Sequence, residues 1–117
     1  MRIHNLYEDE NGESHFRDIE VEWDMERPHS KYSKRLPATG IIFRETRADY
    51  DLDWHPAPRR QVVIVLSGEL ENGFRDGQVF RLGPGDTRII EDVTGEGHTT
   101  RVVGDMPCLL AVIPLDG

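Results

Sequence analysis

The sequence lacks the features that mark several common classes of protein. Cys108 is the only cysteine among 117 residues, so an internal disulfide and a cysteine-based zinc cluster are both excluded. The N-terminus lacks the apolar segment that is typical of a signal peptide. The longest uncharged stretch, residues 106–115, is far shorter than the roughly 20 residues that a membrane-spanning helix needs. These absences predict a cytoplasmic protein in a reducing compartment, with no membrane partner.

Positive charge is also scarce. The 22 acidic side chains outnumber the 14 basic ones, and the formal net charge is −8. Because proteins recognise a phosphate backbone through clustered positive charge, we expect no nucleic-acid partner. Only two basic residues, Lys31 and Lys34, are lysines. The excess of arginine suits recognition of carboxylates or phosphates, and it equally fits an arginine-rich genome composition.

Long helical periods are absent, and short apolar runs separated by glycine, proline and aspartate take their place. Residues 61–66 are apolar and β-branched, which predicts a strand that is covered on both faces. The pair 76–77 predicts a hairpin turn, and we prefer it to the competing pair 72–73 because it leaves a longer preceding strand. Residues 83–86 predict a further tight turn. The second half of the chain therefore indicates a succession of short strands.

The first half gives weaker signals. Alternating apolar and acidic residues predict a strand over residues 19–23, and the polar residues 24–39 predict a surface connection. A second strand is predicted over residues 40–43, and the charged stretch 44–53 could hold a helical turn. Roughly eight short strands at intervals of 8–12 residues are typical of a sandwich or barrel. We predict one all-β domain over residues 1–117.

The candidate site residues lie between the two halves and on a later strand. In an extended chain, residues two apart share a face, so His55, Ala57, Arg59 and Gln61 are predicted to point the same way. The prolines between them prevent full pairing, which favours the edge or mouth of a barrel. His98 follows a loop of small residues at the start of another predicted strand. Imidazole suits first-row transition metals, so we expect both histidines to face one hollow.

These segments resemble the two motifs of the cupin family, which are G-x5-H-x-H-x3or4-E-x6-G and G-x5-P-x-G-x2-H-x3-N. When the first motif is aligned on Gly68, Gln61 takes the place of the glutamate, and His55 that of the first histidine. Residues 83–86 resemble the turn of the second motif, and His98 its histidine. The asparagine of that motif has no match here, and Ala57 stands where the second histidine is expected.

The resemblance implies an all-β, cupin-type double-stranded β-helix, or jelly-roll barrel. Its core would span about residues 41–115, preceded by an N-terminal strand and loop over residues 1–40. It also implies a divalent transition metal (Zn, Ni, Fe or Mn) in the barrel, held by His55, Gln61 and His98. Because these ligands are all neutral, we expect the metal to be weakly bound. A nearby acid such as Asp53 or Asp92 could supply the missing charge.

Two further residues are candidates for binding a substrate. Arg59 could clamp a carboxylate bidentately, or it could be an ordinary surface arginine. Trp54 could wall the pocket, or it could belong to the core. We interpret His15 as structural, and Cys108 as an inert core thiol.

The function that this reading predicts is binding or processing of a small molecule with the help of the metal. The alternative is a non-catalytic, metal-free ligand-binding or sensor cupin, and a purely structural interaction domain is a third possibility. Whether the protein is an enzyme stays open at this stage, because cupins include both catalytic and non-catalytic proteins. The resemblance also implies a homodimer, since cupins commonly pair through their sheets.

Overall fold

The computed structural model describes residues 1–116, and across these residues the chain forms twelve strands and no helix. No membrane-spanning helix is therefore found in residues 1–116. The strands, in chain order, are β1 Arg2–Glu8, β2 Ser14–Glu20, β3 Trp23–Arg27, β4 Ser30–Ser33, β5 Ile42–Thr46, β6 Asp51–His55, β7 Gln61–Ser67, β8 Leu70–Gly73, β9 Val79–Leu82, β10 Thr87–Ile90, β11 His98–Val102 and β12 Cys108–Pro114.

Two sheets contain most of these strands. A six-stranded sheet has the order β2-β1-β10-β7-β12-β5, and a four-stranded sheet has the order β6-β11-β8-β9. All neighbours pair antiparallel except β1 and β10, which are parallel. Buried side chains from both sheets form one core, in which Leu6, Val65, Leu70, Leu82 and Cys108 are almost fully enclosed. The all-β prediction is confirmed, and the two packed sheets are consistent with a jelly-roll sandwich.

The turns of the second half form where the sequence predicts them. Gly77 has φ of 88°, a value that glycine adopts without steric cost, and it closes the hairpin between β8 and β9. The amide of Phe74 donates to the carbonyl of Gln78 across that turn, at 3.0 Å. In the turn before β10, Gly85 also has φ of 88°, and the amide of Asp86 donates to the carbonyl of Gly83 at 3.0 Å.

The first half differs from the prediction. The strand predicted over residues 19–23 is divided, because β2 ends at Glu20 and β3 begins at Trp23. Residues 24–39, predicted as a surface connection, contain most of the β3–β4 hairpin. Every residue of both strands is exposed, so burial in the core does not specify this hairpin. The N-terminal segment is part of the fold, since β1 pairs along β10.

Residues 44–53 form no helical turn. Residues 44–46 belong to β5, which pairs with β12, and residues 51–53 belong to β6, which pairs with β11. The hydrogen bonds of these ladders decide the backbone conformation, so the local charge pattern has little influence on it. The two-sided burial predicted for the strand over residues 61–66 holds for Val62 and Val63, whereas Leu66 is half exposed.

Candidate functional site

A cavity of about 330 Å³ lies between the two sheets. Most of its wall is apolar and comes from both sheets, with β7, β10 and β12 on one side and β8 on the other. The apolar lining includes Val63, Leu70, Ile90, Leu110 and Val112. Concave, largely apolar cavities of this size, with a few polar groups, are typical of sites for small molecules. We therefore compare the residues that line this cavity with the site residues predicted from the sequence.

His55 and His98 meet in this cavity. They are opposite each other in the pairing of β6 with β11, and their ring centroids are 4.8 Å apart. The preceding residue, Gly97, permits this close approach, because it has φ of 78° and a Cβ atom there would collide with the carbonyl of His55. The two histidines that sequence spacing singled out thus face one shared space.

Hydrogen bonds fix the orientation and tautomer of both rings. Nδ1 of His55 lies 2.7 Å from the backbone carbonyl of Asp53, and Nδ1 of His98 lies 2.6 Å from Oδ2 of Asp92. Since a carbonyl or carboxylate oxygen only accepts, each Nδ1 donates, which leaves Nε2 as the acceptor of a neutral ring. Burial lowers the pKa of His55, and the nearby charge of Arg44 contributes in the same direction. His55 is therefore a neutral acceptor at physiological pH.

Asp92 links this pair to the N-terminal strands. It is fully buried, and its Oδ2 accepts hydrogen bonds from His98 and from the hydroxyl of Ser14, which is 2.7 Å away. Its other oxygen, Oδ1, is buried without a hydrogen-bond partner. Asp92 and Asp53 are the two acids predicted from the sequence as possible sources of charge. The structure brings the carboxylate of Asp92 to one histidine, whereas Asp53 contributes its backbone carbonyl to the other.

Arg88 is a cavity residue that was not predicted from the sequence. It lies on β10 and is 3% exposed, and its Nη1 donates to Oδ1 of Asn72 at 2.8 Å. Its Nε is buried without a partner. Burial lowers the pKa of Arg88 to about 10, so the guanidinium still carries its charge at neutral pH. Strand periodicity was the available signal, because Arg88 must share the inward face of Ile90.

Two more guanidinium groups make the cavity electropositive. Arg44 and Arg59 both line it, and in the part of the chain that the structure describes no lining residue carries a carboxylate. Burial is the main cause that lowers the pKa of Arg88; Arg44 acts in the same direction, and the carboxylate of Asp92 acts against it. The hydroxyl of Thr46, also in the lining, is buried without a partner. In a protein with net charge −8, this is a local reversal of sign.

Gln61 lines the cavity as the third residue of the expected metal site. Its Oε1, the atom that would bind a metal, accepts a hydrogen bond from Nη1 of Arg59 at 3.3 Å. A divalent ion here would find two neutral nitrogens and an amide oxygen among guanidinium groups. The hydrogen bonds of the histidine rings fit a metal site, but the charge of the surrounding cavity does not.

Trp54 is not among the residues that line the cavity. It precedes His55 on β6, so its side chain points to the opposite face of the strand. The guanidinium of Arg75 lies over its ring, 3.9 Å from the ring centroid. Among the predicted residues, the structure thus brings together His55, Arg59, Gln61 and His98, and it leaves Trp54 outside this group.

A second group of possible metal ligands lies on the turn between β1 and β2. The ligand atoms of Asp9, Glu13 and His15 are within 4.8 Å of one another. Nε2 of His15 is 2.8 Å from Asp9, and its Nδ1 is 3.1 Å from Asp76 on the β8–β9 turn. The hydrogen bonds to Asp9 and then Asp76 raise the pKa of His15. These ion pairs link the β1–β2 turn to the β8–β9 turn. In the sequence, the group is indicated only by the spacing of Glu13 and His15, which are two residues apart.

Comparison with known proteins gives likeness at the level of structure. No protein-family model matches the sequence, and no curated protein matches it. A conserved protein of unknown function from Streptococcus pyogenes is 22% identical, with a TM-score of 0.48, over 73% of this chain and 71% of that one. A cupin-2 domain-containing protein from Shewanella frigidimarina is 24% identical, with a TM-score of 0.46, over 73% and 81%. The cupin domain of Cnp3 from Schizosaccharomyces pombe is 16% identical, with a TM-score of 0.46, over 99% and 83%.

Proposed function

We propose that the cavity binds a small organic anion, a carboxylate with a short apolar body, and that Arg88 is its main anchor. The observation that carries this proposal is the environment of the Arg88 guanidinium. It is buried, it faces the cavity, and across residues 1–116 its hydrogen-bond partner is the neutral side chain of Asn72. This is the metal-free alternative among the functions that the sequence predicts.

The energetics of a buried charge support this choice. Removing a charged group from water costs several kcal/mol unless an opposite charge and hydrogen bonds compensate. A bound carboxylate would supply both, because its two oxygens match the donors of a guanidinium fork. The unpartnered Nε of Arg88 and the unpartnered hydroxyl of Thr46 are two donors that such a ligand would satisfy.

The size and lining of the cavity limit the ligand. A volume of about 330 Å³ corresponds to roughly eleven water molecules at ~30 Å³ each. A ligand of about ten non-hydrogen atoms would fill it, with its apolar body against Val63, Leu110 and Val112. The Nε2 atoms of His55 and His98 would accept hydrogen bonds from a hydroxyl or amine on the same ligand.

The test is a titration with a panel of short aliphatic and aromatic carboxylates and inorganic phosphate, with a chelator present throughout. In ¹H–¹⁵N spectra of the arginine side chains, we expect the Arg88 Nε–H signal to shift on saturation with a carboxylate. The control is the Nε–H of Arg101, which already donates to Glu71 at 2.7 Å and should not move. If no carboxylate of the panel shifts the Arg88 signal, the proposal is wrong.

A second candidate function is metal binding by His55 and His98. It is favoured by the hydrogen bonding of the two rings, since histidine ligands usually donate their other N–H to a carbonyl or carboxylate. In this case we expect bound Zn, Ni, Fe or Mn to be lost from a His55→Ala/His98→Ala double variant. The metal content should be unchanged by Glu13→Gln, which alters the group on the β1–β2 turn. Equal metal in the wild type and the double variant, measured by elemental analysis, would remove this candidate.

A further inference from the structure

The positive charge of the cavity exceeds what one carboxylate would neutralise. Arg44, Arg59 and Arg88 line the cavity, and no carboxylate from residues 1–116 is among the lining residues. Each guanidinium carries one positive charge at neutral pH, so a monocarboxylate bound to Arg88 would leave two charges uncompensated. Like charges in a partly dry space repel each other strongly because the low dielectric screens them weakly. The cavity therefore has charge to hold a second anionic group.

Arg44 is positioned to receive that second group. It lies on β5, an outer strand of the six-stranded sheet. It lines the cavity together with Ile42 and Thr46, which share its face because side chains two residues apart on a strand point the same way. Its guanidinium lies over the ring of Tyr50, 5.2 Å from the ring centroid. Within residues 1–116, no carboxylate forms an ion pair with Arg44, so its charge is available to a ligand.

The order of the strands places Arg44 and Arg88 at opposite ends of one apolar floor. β10, which carries Arg88, and β5, which carries Arg44, are separated in the sheet by β7 and β12. Neighbouring strands are about 4.8 Å apart, so the backbones that carry the two arginines are roughly 14 Å apart across the sheet. Val63, Leu110 and Val112 of the two intervening strands line the cavity. The inner face of the sheet thus presents a cation, an apolar stretch and a second cation.

The charge of Arg44 acts on the groups inside the cavity. Burial lowers the pKa of Arg88, and the charge of Arg44 acts in the same direction. Burial likewise lowers the pKa of His55, and Arg44 again contributes. Both effects agree with a guanidinium that is turned toward the space between the sheets. A ligand with one anionic group beside each arginine would replace the repulsion between the two guanidinium groups by two attractions.

We propose that the ligand is a short dicarboxylate, with one carboxylate on the guanidinium of Arg88 and the other on that of Arg44. This proposal rests on the anion-binding function proposed above and specifies its ligand. The methylene chain lies on the apolar side chains of β7 and β12. A monocarboxylate of the same length would place a methyl group beside the charge of Arg44, which costs hydration without an opposite charge in return. Arg44 is thus the residue that selects dicarboxylates.

The test compares monocarboxylates with dicarboxylates of the same carbon number. The pairs are butyrate with succinate, pentanoate with glutarate, and hexanoate with adipate, at pH 7.5 and constant ionic strength with a chelator present. The Kd of each ligand is measured from the shift of the Arg88 Nε–H signal. In at least one pair, we expect the dicarboxylate to bind about tenfold more tightly, because hydrogen bonds to charged groups are stronger than neutral ones.

Two matched variants assign the preference to Arg44. Arg44→Gln removes the charge and keeps an amide donor. We expect it to weaken binding of the dicarboxylate about tenfold and binding of the monocarboxylate much less, so that the preference is lost. The control is Arg47→Gln, which removes the same charge directly after β5. Arg47 is paired with Asp49 at 3.1 Å and lies outside the lining, so this variant should keep the preference.

The possible failures are distinguishable. Equal Kd values within every pair would overturn the dicarboxylate proposal, whereas a shift of the Arg88 signal with both members would leave anion binding itself intact. Equal losses for both members of a pair in Arg44→Gln would mean that both guanidinium groups hold one carboxylate, and a preference that this variant retains would mean that another group holds the second carboxylate; either result overturns the proposal. If no carboxylate shifts the Arg88 signal, the anion-binding function and this proposal are both wrong.

Discussion

Replacing Arg88 by methionine should separate stability from ligand binding. Methionine is unbranched and uncharged, so the change removes the buried guanidinium and keeps an apolar stem in the cavity wall. We expect Arg88→Met to make the ligand-free protein more stable, which is the reverse of what most core substitutions do. We also expect the variant to lose stabilisation by the carboxylate ligand.

The magnitude follows from the burial of the charge. Burial lowers the pKa of Arg88 from its usual value to about 10, and each tenfold change in a protonation equilibrium is worth about 1.4 kcal/mol. The charged form thus costs the ligand-free fold roughly 3 kcal/mol. Because the folded pKa of this base is depressed, the full cost is present below pH 10 and is relieved only above it. Loss of the hydrogen bond to Asn72 offsets about 1 kcal/mol or more of the gain, which leaves a net gain of about 1–2 kcal/mol.

Urea unfolding at pH 7.5 of wild type and variant, with and without ligand, measures both effects. A carboxylate at 100 times its Kd should stabilise the wild type by about 2.7 kcal/mol, and it should leave Arg88→Met unchanged. The matched control is Arg101→Met, an exposed arginine on β11 outside the cavity, which should retain the ligand effect. If Arg88→Met lowers the free energy of unfolding by 1 kcal/mol or more, the guanidinium supports the fold and our reasoning is refuted.

Three further predictions concern the surroundings of the site. In thermal unfolding, Gly97→Ala should destabilise the protein far more than Gly77→Ala. Both positions have positive φ, but only at Gly97 would a Cβ atom collide with backbone. Equal decreases in melting temperature would contradict this prediction. Asp92→Ala should lower the free energy of unfolding in urea by about 2–4 kcal/mol, since it breaks a buried hydrogen-bonded network; a loss below 1 kcal/mol would count against the network. His15→Gln should lower the melting temperature most near pH 5–6. The pKa of His15 is raised and that of Asp9 is lowered. Their pairing therefore stabilises the fold fully below the unfolded-state pKa of His15, and this stabilisation is lost as pH rises through its folded-state pKa. A difference in melting temperature that does not depend on pH would contradict this prediction.

The fold was predictable where short-range signals and burial agree. The apolar run of β7, the turn at Asp76-Gly77 and the turn before β10 are features of local chemistry, and the structure has them at those positions. The β3–β4 hairpin was not predictable in the same way. All residues of its two strands are exposed, so no buried face specifies them. The conformation of residues 44–53 was decided by β11 and β12, which are distant in sequence.

The site was predictable where it depends on residues that share one face of an extended chain. The spacing of His55, Arg59 and Gln61 indicates one shared face, and all three line the cavity. Arg88 was missed because an arginine near the start of a short strand is usually interpreted as a surface residue. Its burial depends on the packing of the second sheet over β10, which no local pattern contains.

By itself, the sequence determined the β character of the chain, its main turns, its acidic balance and the histidines that meet in the middle. These follow from dihedral preferences, side-chain alternation and formal charge, all of which act over a few residues. Only the tertiary structure decided the sign of the charge inside. It encloses Arg88 and brings Arg44 and Arg59 to the same cavity, while the carboxylates that dominate the sequence stay outside the lining. The local electric field depends on distances between residues far apart in the chain, and closure of the two sheets sets those distances.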